Sequence, residues 1–179
     1  MGDRFGATDV YYPPDGGATA ALIVSTEPNF ASITLRRTAN LPIVADYLPG
    51  RFYQRELPAI EVVLENIEPL DLLIVDGYVD LDPNGRAGLG RHVWDAGLAA
   101  AVVGVAKTAF RSATHAIPVT RGEATKPLYI TAAGMPTPEA ADLIRNMAGT
   151  ARLPDALRLV DRISRGKETA SVDPGGDHR

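Results

Sequence analysis

Short apolar runs alternate along the chain with polar stretches rich in Gly, Pro and Asp, and their spacing predicts the elements. Ala7 to Tyr12 and Ala18 to Ser25 read as two strands joined by Pro13-Pro-Asp-Gly-Gly17, a strong turn signal. Ala31 to Thr38 alternates and continues an antiparallel meander. Leu57, Ile60, Val63, Leu64 and Ile67 recur at helical spacing, which predicts an amphipathic helix over 57–67. The run Leu70-Asp-Leu-Leu-Ile-Val75 is nearly continuous and of strand length, as expected for a strand buried on both faces.

A helix over 88–98 follows, then a second buried strand, Ala100 to Val105, and a further strand, Lys126 to Thr131. Thr137 is placed to cap a helix with Pro138 at its first position, and a last helix runs from Pro154 to Ser164. A meander followed by alternating helices and strands implies an α/β protein with a central mixed sheet covered on both faces. The chain reads as a single domain over 1–166. Residues 167–179, polar and Gly-rich, read as a flexible tail.

Composition narrows the function classes. At 179 residues, 45% hydrophobic and 22% charged, the chain can bury a core without staples. It contains no cysteine, which excludes disulfides and thiolate metal sites and suits the cytoplasm. The first residues hold no apolar stretch of signal-peptide length, and no run approaches the roughly 18 apolar residues of a membrane helix. A net charge of −4 argues against avid, non-specific nucleic-acid binding, so any basic surface is local. Arg51 with Arg55, Arg86 with Arg91, and Arg152, Arg158, Arg162 and Arg165 are the candidates, with solvated helix faces as the alternative.

The stretch from Leu73 to Gly85 carries two possible chemistries. Asp80-Leu-Asp82-Pro-Asn84-Gly85 opens like a calcium loop, but the twelfth position, where a bidentate Glu is needed, is Arg91. A polar turn is the better reading. Gly104-Val-Ala-Lys107-Thr108 resembles the end of a phosphate-binding loop without the glycine required before its lysine. Lys107 nevertheless stands just after a buried strand, where sheet proteins commonly place functional groups. His92, His115 and His178 show no metal-ligand spacing.

The acids of the apolar segments are more informative. Asp9 lies within the first strand, Glu56 precedes the amphipathic helix, and Asp76 ends the buried strand. If the first and fourth strands are neighbours, Asp9 and Asp76 face one another at one sheet edge and Glu56 can complete a cluster. Hard oxygen donors of this kind suit Mg²⁺ or Mn²⁺, and the expected chemistry is metal-assisted attack of water on a phosphodiester. The alternative is three unrelated acids.

Taken in order, several blocks resemble the endonuclease V family. They are Thr8-Asp9-Val-Tyr-Tyr12, Tyr47-Leu48-Pro49-Gly50, Arg55-Glu56 with Pro58, Val75-Asp76-Gly77, Gly104-Val-Ala-Lys107, and Arg152-Leu-Pro154 with Arg158 and Asp161. The resemblance spans 7–165 and implies a ribonuclease H-like fold. It also implies a Mg²⁺- or Mn²⁺-dependent endonuclease, expected as a cytoplasmic monomer, that cuts DNA or RNA on the 3′ side of inosine. By the same resemblance Asp9, Glu56 and Asp76 would hold metal, and Lys107 would sit near the scissile phosphate. Tyr47, Leu48, Pro49 and Gly50 would form a strand-separating wedge beside an extruded base, with Arg55 and Gly77 also at the substrate.

The sequence departs from the family's pattern at several places, among them a segment between Lys107 and Lys126 that looks short. The late segment Thr131-Ala-Ala-Gly-Met-Pro136 has no histidine where members carry Gly-His. Asp82 stands before Pro83 where members have a histidine, and Asp46 replaces the proline that opens the wedge. Loss of the late histidine removes a group for proton transfer. That leaves two alternatives open: a catalytically impaired nucleic-acid-binding relative, or a metal-dependent phosphodiesterase acting on another substrate.

Overall fold

A computed structural model of the chain describes residues 2–49 and 51–170. Its strands are β1 (Phe5–Tyr11), β2 (Ala18–Ser25), β3 (Leu35–Leu41), β4 (Leu70–Asp76), β5 (Ala99–Ala106), β6 (Ile117–Val119) and β7 (Leu128–Ala133). Its helices are α1 (Tyr53–Val63), α2 (Leu89–Asp95), α3 (Thr137–Asn146) and α4 (Asp155–Ser164). The strands form one sheet in the order β3-β2-β1-β4-β5-β7-β6. β1, β4 and β5 run parallel, while the meander at one side and β7 with β6 at the other are antiparallel.

The central position of β4 follows from its composition. Leu72 and Ile74 point into the layer shared with α3 and α4; Leu70, Leu73 and Val75 point into the layer shared with α1 and α2. A strand apolar on both faces is stable only where both faces are covered. Leu73 and Ile74 are almost wholly buried, which contributes about 1.5–3 kcal/mol each. The two helical layers thus sandwich a mixed sheet, the expected α/β architecture.

Several boundaries differ from the sequence-based expectation. The third strand starts at Leu35, because Phe30 adopts φ 55° and residues 31–34 turn before the ladder begins. α1 covers 53–63 rather than 57–67; Asn66 (φ 59°) ends a run of turns that follows the helix. Glu56 therefore lies in the first turn of α1 instead of ahead of it. α2 is shorter than 88–98, and the three-residue β6, with Pro118 at its centre, was not foreseen. Proline is tolerated there because β6 is an edge strand. Thr137 does not cap α3: the cap position is Pro136 in extended backbone, and no side chain bonds the first turn.

Part of the segment read as tail is held in place. Glu168 pairs with Arg36 and Arg162, and Ala170 packs against the core beneath α4. Residues 171–179, including His178, lie outside the described residues. Among the described residues no helix is long and apolar enough to cross a membrane.

Candidate active site

The site is built at the C-terminal ends of β1, β4 and β5, the edge where α/β sheets present functional groups. β1 and β4 are parallel neighbours with Ala7 opposite Ile74, and two residues further along each strand this register brings Asp9 level with Asp76. β4 ends there because Gly77 turns away with φ 121°, while its N–H donates to the Val105 carbonyl at 3.0 Å. The turn lies so close to β5 that a Cβ on Gly104 would stand 2.5 Å from the Gly77 carbonyl oxygen, so only glycine fits. Lys107 follows the last residue of β5, and its Nζ donates to Asp76 Oδ2 at 3.2 Å.

Glu56 arrives from the opposite layer. It occupies the first position of the buried stripe Glu56, Ala59, Ile60 and Val63 on α1, and is only 8% exposed. An acid in a core-facing stripe is costly unless something neutralises it. No hydrogen bond reaches its carboxyl among the described residues. Burial, and then the charges of Asp76 and Asp9, push the Glu56 carboxyl up to about 8, with Arg55 opposing. Asp9 is pushed up to about 6, chiefly by burial and by Asp76 and Asp161; the 2.8 Å hydrogen bond from Ser164 Oγ works against the rise.

These acids are therefore electrostatically one unit. Hard oxygen donors, two of them held in excess of their ordinary pKa by burial and like charge, fit a hard divalent cation. Among the described residues, however, no three acidic or histidine side chains meet closely enough to cage an ion. The Lys107 ammonium sits on Asp76 and the Ser164 hydroxyl on Asp9. Side-chain rearrangement is needed to draw the carboxylates onto a common centre.

A cavity of about 250 Å³ opens beside Asp9, Asp76 and Lys107, roofed by Arg158, Asp161 and Arg162 of α4. Glu56 does not line it. Asp161 and Ser164 were not among the sequence-derived site residues, although α4 carries both to Asp9. The available signal was Ser164, a polar residue continuing the buried stripe Val160, Ile163 and Ser164. Arg152 supports the site from behind, donating to the carbonyls of Lys107 (2.5 Å), Pro127 (2.9 Å) and Lys126 (3.0 Å).

On the outer side, Tyr47, Leu48 and Phe52 are exposed by 60%, 47% and 43%. The Arg55 guanidinium lies 4.1 Å over the Tyr12 ring and 6.0 Å from the Tyr47 ring, tying this apolar loop to the end of β1. Pro49 is exposed beside them, whereas Gly50 lies outside the described residues. An exposed apolar cluster of this kind marks a contact surface.

The remaining acids and histidines are occupied differently. Asp80 is clamped by Arg91, which donates through Nε (2.9 Å) and Nη2 (2.7 Å). The residue at the twelfth position of the calcium-like pattern thus neutralises the residue at the first. Asp82 Oδ1 accepts from the Asn84 and Arg86 N–H groups, making the loop a polar turn. His92 stacks on Tyr53 with ring centroids 3.6 Å apart, and both ring nitrogens of His115 are buried without a partner among the described residues.

A mixed sheet of this topology, with acids level on adjacent parallel strands beneath a closing helix, is of the ribonuclease H-like class. The chain belongs to the Endonuclease V family, whose model matches residues 3–134. It is 27% identical over 165 residues to the endonuclease V of Pyrococcus horikoshii, covering 92% of this chain and 74% of that protein. It is 29% identical over 184 residues to that of Ignicoccus hospitalis, covering 91% and 82%. The fold is shared with the Ciona intestinalis endonuclease V solved with DNA containing an inosine followed by a ribo-adenosine. The TM-score is 0.77 at 16% identity, covering 92% of this chain and 85% of that one.

Proposed function

We propose that this protein is a metal-dependent endonuclease that hydrolyses a phosphodiester on the 3′ side of inosine in DNA or RNA. The observation that carries the reading is the level placement of Asp9 and Asp76 on adjacent parallel strands, with buried Glu56 raised by both charges. Family membership and the inosine-containing DNA bound by the Ciona relative support the substrate class. The protein is taken to act as a cytoplasmic monomer, a setting that the absence of cysteine suits.

In this reading Asp9, Glu56 and Asp76 would hold Mg²⁺ or Mn²⁺, whose charge would offset the burial and like-charge repulsion that raise the Glu56 carboxyl. When bound, the cation supplies activation of water and stabilisation of charge on the phosphate oxygens. Ser164 fixes the orientation of Asp9. Lys107, which shares Asp76 in the free protein, is placed to contact the scissile phosphate, and Arg152 holds its backbone. Tyr47, Leu48 and Pro49 supply the apolar wedge beside an extruded base, and Arg55 braces it from Tyr12. Gly77 leaves the backbone at the end of β4 open to the substrate: a Cβ there would meet nothing within 4 Å.

End-labelled single- and double-stranded inosine DNA and inosine RNA, incubated with Mg²⁺ or Mn²⁺, test the reading. Cleavage at one position 3′ of inosine, with adenine controls intact, is expected. No cleavage with either cation contradicts it. A second reading, binding without cleavage, is favoured by one observation: the carboxylates do not close on a common centre, and Asp76 is engaged by Lys107. It expects inosine strands to be retained but never cut.

A further inference from the structure

Beyond the cavity, the most unusual charge arrangement involves Glu168, in the segment after α4. Its Oε1 accepts from Arg36 Nη1 of β3 at 3.2 Å and its Oε2 from Arg162 Nε of α4 at 2.9 Å. Two guanidiniums from distant parts of the chain thus converge on the two oxygens of one carboxylate. The three side chains line a recess of about 460 Å³ together with Arg158, whose own guanidinium lies 4.0 Å from Asp155. Arg158 and Arg162 also wall the active-site cavity, so recess and cavity are neighbours that share these two side chains.

Guanidiniums that grip two oxygens of a carboxylate present the same donors to two oxygens of a phosphate diester. Both ligands carry one negative charge, so exchanging one for the other leaves the net charge of the cluster unchanged. The Glu168 side chain is 34% exposed, and ion pairs of such exposure are weak and readily exchanged. Of the cationic candidates of the sequence, Arg91 is engaged more firmly by Asp80 and Arg152 by three carbonyls.

We propose that Arg36 and Arg162 form a binding site for a backbone phosphate of the substrate strand next to the active-site cavity, and that Glu168 occupies this site in the free protein. The inference rests on reading the cavity as a site of nucleic-acid hydrolysis. A strand entering the cavity meets Arg158 and Arg162 on α4 and reaches Arg36 by displacing Glu168. The internal carboxylate then acts as a competitor that lowers affinity for every strand alike, without regard to the base being read.

Equilibrium binding of a fluorescent inosine-containing single strand, measured in EDTA across a range of KCl concentrations, tests this. Glu168→Gln is expected to tighten binding about three- to tenfold, the range set by two exposed ion pairs, and to do so equally for an adenine control strand. Arg36→Gln is expected to weaken binding and to reduce the slope of log K against log salt by about 0.7, one single-strand phosphate. In the double variant Arg36→Gln/Glu168→Gln, the gain from Glu168→Gln should shrink. If Glu168→Gln changes only the melting temperature and leaves affinity and salt slope alone, the segment is a structural strap and the inference is overturned. If wild-type protein binds the strand but Arg36→Gln has the wild-type slope, the phosphate site is likewise overturned while the functional reading stands. Failure of every form, wild type included, to bind any strand in EDTA overturns the phosphate site, while the functional reading is decided by cleavage with Mg²⁺ or Mn²⁺.

Discussion

Two sets of acids, separated by as few as four residues, are put to opposite uses. Asp80 and Asp82 sit in a conspicuous acidic motif and are fully engaged, one by a two-pronged Arg91 and the other by two backbone N–H groups. Asp76, with Asp9 and Glu56, has fewer partners: Lys107 on Asp76, Ser164 on Asp9, and no hydrogen bond to Glu56 among the described residues. Acids serving structure are neutralised by the fold. Asp9 and Glu56, under-neutralised and raised in pKa by burial and by the charge of Asp76, hold electrostatic energy that a cation can relieve.

The difference is largest in activity. Asp76→Asn is expected to lower the single-turnover rate of inosine-strand cleavage by at least about 100-fold, in the range of lost electrostatic stabilisation at a reacting centre, with the melting temperature unchanged or raised. An equal loss for Asp82→Asn would erase the distinction between the two sets.

A pH effect on stability comes next. The Glu56 carboxyl is raised from its usual 4.5 to about 8 and that of Asp9 from 3.8 to about 6. The folded state therefore binds more protons than the unfolded one between those values, so stability falls as pH rises. The penalty is absent below about pH 4 and complete above about pH 8. Urea unfolding in EDTA should show a decline on the order of a few kcal/mol across this window, flattened by Glu56→Gln and opposed by Mn²⁺. A stability profile independent of pH would show that the acids do not share a field.

Smaller effects belong to the engaged set. Arg91→Ala leaves Asp80, only 15% exposed in its side chain, without its partner, and is expected to cost about 1–3 kcal/mol in urea unfolding. Asp82→Asn retains a side-chain oxygen for the turn and should stay within about 0.5 kcal/mol of wild type, as surface substitutions do.

Much of this architecture is legible in the residues, for physical reasons that vary with the element. β4 and β5 declare themselves because burial on both faces demands unbroken apolar runs. Glu56 is legible as an anomaly, since it stands four residues before Ile60 and seven before Val63 on the buried stripe of α1. The boundaries of α1 and β3 were misplaced because Pro58 sits inside a helix that starts before it, and because a turn at Phe30 delays the edge strand. Asp161, read only as part of a family-like block, and Ser164 were not placed at the site because their reach to Asp9 depends on how α4 crosses β1, a tertiary fact without local periodicity. The Glu168 clamp joins side chains that are remote in sequence and lies in a segment whose composition suggests no structure at all.

The proposed reading stands on Asp9, Glu56 and Asp76 acting as one cation-requiring unit, with the Glu56 carboxyl raised by burial and by the charges of Asp76 and Asp9. Calorimetric titration with Mn²⁺ at pH 7, in two buffers of different ionisation enthalpy, addresses it directly. The expected result is saturable binding with release of close to one proton, a release lost in Glu56→Gln and binding weakened at least about tenfold in Asp76→Asn. Mn²⁺ binding that releases no proton and survives both substitutions would contradict it.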